Sequence, residues 1–264
     1  MKKNYFLIAT FTSILFASCF EAEEKTVINK DNSGTYSVTM DISGMMRQMQ
    51  AITGKSATDE MGVAKSDSVI YFKSFTDTST VLTAEEKEML RDGSLGIHVD
   101  IENDDMKFVI SIPFKNVNEL PKLKQQLAAA MDKIKITDKL MNDSASDELS
   151  GMMQQKGPDA SMAMNPIEGA YSLSIDDKMI SNKLVDSSFV DRLLSGNSNL
   201  QAMKQMAPLF GELKYKTTYV LPVEIKNYKG SNAELSSDRK TISFTSGLAD
   251  LFDKPAVLEY QVTY

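Results

Sequence analysis

Few residues in this chain are equipped for catalysis. His98 is the only histidine and Cys19 the only cysteine. Zinc sites built from His and Cys are therefore excluded in their usual forms, and so are Ser-His-Asp and Cys-His nucleophile systems. No Gly-rich phosphate loop is present. His98 lies out of phase with Leu95, Ile97 and Val99, which places it toward solvent or a helix edge. Carboxylates alone could run a glycosidase-type hydrolysis, but two of them must then converge on one pocket. Asn29, Asp31, Ser33 and Gly34 imitate the start of a calcium loop, yet the position of its bidentate Glu holds Met40. A hairpin turn accounts for the same residues. No catalytic residue, metal site or cofactor is expected.

Methionine is the compositional oddity, at 17 residues. Met45-Met46 with Met49, Met152-Met153, Met162 with Met164, and Met203 with Met206 would suit copper(I), whose preferred ligands are soft thioethers. The groups are dispersed and lack a supporting His or Cys. Core packing, or a pliant apolar contact surface, explains them more simply. Tyr215, Tyr219, Phe244, Tyr260 and Tyr264 could stack on a sugar or a lipid, but their alternation along strands assigns them first to a core.

Cys19 closes a leader. Met1, Lys2 and Lys3 are basic, Phe6 to Phe16 is largely apolar, and Phe16-Ala17-Ser18-Cys19 ends on small residues before the cysteine. The apolar run is shorter than the roughly 20 residues a membrane-spanning helix needs, and it fits a secretory signal. The box resembles the bacterial lipobox, with Phe16 in place of the preferred Leu. That resemblance implies cleavage between Ser18 and Cys19, a diacylglyceryl thioether on Cys19, and a fatty acyl group such as palmitate on its new amine. Residues 1–18 are read as the signal, and residues 19–25 as an acidic tether after the lipidated cysteine. Glu21, Glu23 and Glu24 there are similar to the surface-export signal of Bacteroidota lipoproteins. Phe20 is not the Asp that retains lipoproteins at an inner membrane. The expectation is an outer-membrane lipoprotein of the cell envelope, facing the periplasm or the surface and held by its lipid anchor.

With 42% hydrophobic and 25% charged residues, the remainder has material for a sizeable core. No disulfide can brace it, so stability must come from packing. The net charge of −7 argues against nucleic acid as a partner and against an electrostatic grip on anionic phospholipid.

The elements to position these residues are mostly strands. Tyr36, Val38, Met40 and Ile42 alternate with polar residues, and Thr26-Val27-Ile28 precedes them across a turn at 30–34, forming a hairpin. Leu95 to Ile101 and Met106 to Ile112 form a second hairpin around Asn103-Asp104-Asp105. Helices are predicted over 43–52, over Ala84 to Arg91 with a Thr83–Glu86 capping box, and over about 116–136. Pro121 lies near the first turn of the last one. Residues 137–165, rich in Met, Ser and Asp, read as a flexible connector. Strands follow at Tyr171 to Ile175, Met179 to Leu184 and Leu213 to Leu221. Further segments are Val223 to Ile225, a turn at Lys229-Gly230, a strand at Thr241 to Phe244, and a last strand from Leu258 to Tyr264. Short helices are expected near 189–194, 200–210 and 248–252. The class is α+β: antiparallel sheet with helices packed on one face, one domain over 26–264.

Lys30-Asp31-Asn32-Ser33-Gly34-Thr35-Tyr36 ahead of an alternating strand is similar to the openings of uncharacterised Bacteroidota outer-membrane lipoproteins. The closing order is Tyr215-Lys216-Thr217, Pro222, Ile225, then Ser237-Asp238-Arg239-Lys240-Thr241-Ile242. It is distantly similar to the LppM-like lipoprotein domain. The resemblance implies a β-rich extracytoplasmic domain that handles lipid. The expected function is non-enzymatic: a binding or structural domain for a protein partner or an apolar ligand. A carboxylate-dependent envelope hydrolase is the alternative, and methionine-based copper(I) binding the third reading.

Overall fold

A computed structural model describes residues 20–53, 65–134, 170–176, 178–189 and 213–264. The leader, Cys19, the connector at 137–165 and the helices expected beyond Phe189 lie outside the described residues.

Strands β1 (Phe20–Ile28) and β2 (Gly34–Asp41) form the opening hairpin, and α1 (Ser43–Thr53) follows. Next come β3 (Lys65–Tyr71), α2 (Lys73–Thr78), α3 (Ala84–Leu90), β4 (Ser94–Asp100) and β5 (Asp105–Phe114). A 3-10 turn at Val117–Glu119 leads into α4 (Leu120–Ile134). After it come β6 (Tyr171–Ile175), β7 (Met179–Leu184), β8 (Leu213–Val220), β9 (Asn227–Gly230), β10 (Ala233–Leu235) and β11 (Thr241–Gly247). The chain closes with α5 (Leu248–Asp253) and β12 (Tyr260–Thr263).

Eight strands make one sheet in the order β10-β11-β8-β1-β2-β5-β4-β3, and four make a second in the order β6-β7-β12-β9. Both sheets take strands from distant parts of the chain. β1 pairs antiparallel with β2 and parallel with β8, so the mostly antiparallel large sheet contains one parallel pairing. The α+β class stands.

Period-2 alternation decides which face of the large sheet is dry. Glu24, Val38, Ile110 and Leu95 stand side by side across β1, β2, β5 and β4, and Tyr219 and Ile242 continue the same face on β8 and β11. That face meets α4 through Leu120, Leu123, Leu127 and Met131, and meets the small sheet through Ile180, Tyr260 and Val262, in one continuous core. The opposite face carries Glu23, Lys25, Ser37, Thr39, Lys107 and Ser111. Its polarity is why no layer among the described residues packs there.

Three local features set the geometry. The Thr83 hydroxyl accepts from the Glu86 amide (3.2 Å), and a Glu86 carboxylate oxygen accepts from the Thr83 amide (2.8 Å), so the capping box starts α3 as predicted. Lys133 Nζ donates to Glu86 Oε1 (2.6 Å), binding α4 to that cap. Gly34 opens β2 where a Cβ would lie 2.0 Å from the Val27 carbonyl oxygen and 2.4 Å from Phe114, so only glycine fits.

Two expectations need correcting. Residues 20–25 are not a tether: they are the first six residues of β1, a central strand hydrogen-bonded on both sides. The domain therefore includes residues 20–25. Lys229-Gly230 belongs to β9, and the reversal falls one step later, where Asn232 takes a positive φ of 49°. β3, α2 and β10 were not anticipated. β3 is an edge strand exposed on both sides and shows no clean alternation.

Candidate ligand cleft

Glu24 occupies a dry-face position in the middle of β1, opposite Val38 of β2 and Thr217 of β8, and is only 3% exposed. A buried carboxylate is several kcal/mol unfavourable unless it is paired. Its partner is Lys124, one of the residues on the core-facing stripe of α4, whose Nζ forms an ion pair with Glu24 Oε2. The ammonium also lies 5.7 Å from the centroid of the Tyr36 ring, within cation–π range. Burial is the largest single influence and lowers the basicity of Lys124, but the Glu24 charge, Tyr219 and the hydrogen bond to Glu24 together outweigh it and the net shift is upward.

Tyrosines surround the pair. Burial, and then the charge of Glu24, push the Tyr36 and Tyr215 hydroxyls well above the usual phenol range. The Tyr219 and Tyr260 hydroxyls share a hydrogen bond of 2.7 Å, and burial raises both pKa values. Tyr260 also stacks on Phe244 at 4.7 Å between centroids, with the rings 14° from parallel. Gly230, at φ 147°, leaves room for that stack, because a Cβ there would meet Phe244 at 2.6 Å. These phenols stay protonated at any physiological pH, and of the four only Tyr215 and Tyr260 reach the cleft wall.

Above the pair opens a cleft of about 530 Å³, bounded by α4, the large sheet and the small sheet. Tyr171, Leu173, Val257, Leu258, Phe244 and Tyr260 give it an apolar and aromatic wall. Asn182, Thr217 and Ser246 give polar points. A mostly apolar concavity of this size with a few convergent polar groups is the usual form of a small-molecule site.

Of the five aromatics singled out in the sequence, Tyr215, Phe244 and Tyr260 line this cleft; Tyr219 is buried behind it. Tyr264 does not line it and donates from its hydroxyl to the Asp176 carbonyl (3.0 Å). Glu24 and Lys124 were missed as site residues. Glu24 was assigned to the tether, although it is in phase with Thr26 and Ile28. Lys124 lies one turn from Leu120 and Leu127, a charge on an otherwise apolar stripe, which was a readable signal.

Glu24 is the one carboxylate among the described residues lining the cleft, so they bring no second carboxylate to pair with it. His98 lies on the polar face, its ring half-covered between two acids: Nδ1 is 2.6 Å from Asp67 Oδ1 and Nε2 is 3.5 Å from Asp105 Oδ2. Lys107 Nζ bonds Asp105 Oδ1 at 2.8 Å, and Ser43 Oγ donates to the same oxygen (3.0 Å), so Ser43 bonds an acid, not the imidazole. Asp31 turns its carboxylate onto Ser33, whose amide (3.1 Å) and hydroxyl (2.6 Å) both donate to it, as a hairpin turn requires. Among the described residues no group of three or more His, Cys, Asp or Glu side chains could hold a metal. Met46 is buried beside Val99, Ile101 and Met106; the Met152, Met162 and Met203 groups lie outside the described residues.

No helix among the described residues is long and apolar enough to cross a membrane. No family model matches the chain, and no curated protein is found to be similar to it, so the Bacteroidota-type resemblance gains no support there. The NMR structure of the folded domain of LppM from Mycobacterium tuberculosis matches 93% of this chain and 90% of that one, at 6% identity and a TM-score of 0.32. That likeness is distant and carries no argument about function.

Proposed function

We propose that this chain is a lipid-anchored envelope protein whose domain binds an apolar or amphipathic ligand without turning it over. The observation that carries the reading is the cleft of about 530 Å³ between the two sheets and α4, with an aromatic wall over a buried ion pair. Its volume suits a molecule of a few hundred daltons better than a protein surface. The anchor rests on Cys19 and its lipobox-like setting. Acyl chains contribute about 0.8 kcal/mol per buried CH₂, enough for durable attachment when two or more chains are present.

Two measurements test it. Thermal unfolding of the chain carrying Cys19→Ser, scanned against lipid extracted from bacterial envelopes, should shift upward. Ligand at about 100 times its Kd adds roughly 2.7 kcal/mol. No shift with any extract fraction would remove the ligand-binding reading. Separately, the unmodified chain should partition with membranes and Cys19→Ser should not; equal partitioning would remove the anchor.

A further inference from the structure

The charges in the cleft select among ligands. Its charged lining residues, among those described, are Glu24, Lys122 and Lys124. Lys124 is held by Glu24, and Lys122 Nζ donates to Glu85 Oε1. Each of the three is therefore committed to an opposite charge, and the interior pair is shielded, with Glu24 at 4% and Lys124 at 17% side-chain exposure. A ligand bringing a net charge would shed its hydration and find no free counter-charge, or would have to break the pair and strand one of its members. Hydroxyls meet no such obstacle. Thr217, Ser246 and Tyr215 carry hydroxyls that both donate and accept; the Asn182 amide, which donates to the Leu258 carbonyl (2.9 Å), keeps its oxygen as an acceptor, and the Gln125 amide stands beside them. Opposite these, Leu173, Val257, Leu258 and Phe244 accept an apolar chain.

We infer that the cleft takes a net-neutral amphiphile with a hydroxyl-bearing head, such as a glycosyl or glyceryl group on an alkyl or acyl chain, and discriminates against anionic and cationic heads. This rests on the cleft being a ligand site, and it adds the class of ligand.

The test holds the tail constant and varies the head. Octyl glucoside, octanoate and octyltrimethylammonium, each below its micelle concentration, are titrated into the chain carrying Cys19→Ser, with tyrosine fluorescence and amide NMR shifts as readouts. The neutral amphiphile should bind at least tenfold more tightly than either ion, with shifts at Thr217, Ser246 and Asn182. An ion that binds as tightly as octyl glucoside, or more so, would overturn the inference and leave the cleft reading intact. No binding by any of the three would overturn both. In Glu24→Gln, where Lys124 loses its counter-charge, the preference should move toward octanoate by tenfold or more; a folded variant with unchanged preference also overturns the inference. Should that variant not fold, Glu85→Gln, which frees the more exposed Lys122, should move the preference the same way by a smaller factor, and an unchanged ratio there counts against it.

Discussion

At the scale of single residues, the Glu24–Lys124 pair dominates the energetics of the interior. Removing one member leaves the other buried and uncompensated, a loss of about 3–5 kcal/mol in comparable cases. Glu24→Leu and Lys124→Met should each, alone, lower the unfolding free energy by about that much. The double replacement Glu24→Leu with Lys124→Met should recover most of the loss, because well-packed apolar pairs substitute for buried ions at little or no cost. Urea unfolding of the four proteins in a double-mutant cycle reads this out, and a double variant no better than the worse single one would contradict it. His98 makes a different, pH-dependent contribution. The hydrogen bond to Asp67 raises its pKa, and the nearby Asp67 and Asp105 charges add to this against partial burial and the Lys107 charge. A raised folded-state pKa means the protonated ring is favoured on folding. Its contribution is therefore complete below the unfolded value of about 6.5 and is lost as pH rises through the folded value. The stability difference between the wild-type chain and His98→Gln should shrink as pH climbs through that window; a difference that grows with pH would show the sign to be reversed.

Elements show where sequence patterns suffice. The Thr83–Glu86 box was legible because a helix start is a local event, set by four residues and their hydrogen bonds. Thr83→Ala should cost about 1 kcal/mol, measured by urea unfolding, whereas Gly34→Ala should cost more, about 3 kcal/mol, because its Cβ would meet a backbone oxygen that cannot move aside. If the two were equal, the tight β1–β2 approach would not be a constraint. The hairpins at 26–41 and 94–114 were legible for the same reason, since alternation survives wherever one face is dry and the other wet. Alternation fails at the edge. β3 exposes Val69 (59%) and Tyr71 (68%) with no burial contrast to impose a pattern. β9 and β10 are too short for a period to register, and the reversal between them depends on Asn232 accepting a left-handed backbone, while Gly230 is required by its closeness to Phe244. The cleft was illegible for another reason. Its walls come from α4, β6, β8, β11 and β12, and only tertiary pairing brings them together.

For the molecule as a whole, the consequential revision is the start of β1. An acidic run behind a lipobox-like cysteine reads as a solvated spacer, yet here Ala22, Glu24, Thr26 and Ile28 are buried, and the strand is hydrogen-bonded to β2 and β8. The parallel β1–β8 pairing cannot form by a local turn, so β1 is the piece that joins the first part of the chain to the last. Deleting residues 20–25 should therefore abolish cooperative unfolding, where loss of a mere tether would leave the midpoint unchanged. The same geometry removes any slack from an anchor on Cys19. Phe20 is already in the sheet, and Glu24 follows only about 13 Å along an extended chain at roughly 3.3 Å per residue. A lipidated Cys19 would hold the cleft end of the domain against the bilayer, because Tyr215 and Ser246 lie in register with Ala22 of β1. A Gly/Ser spacer of about ten residues, inserted between Cys19 and Phe20, adds a coil of about 15–20 Å root-mean-square reach. It should leave the unfolding midpoint unaltered while lowering the fluorescence quenching of a probe at residue 246 by bilayer-embedded quenchers. Quenching that is unchanged by the spacer would mean that the cleft end does not face the membrane.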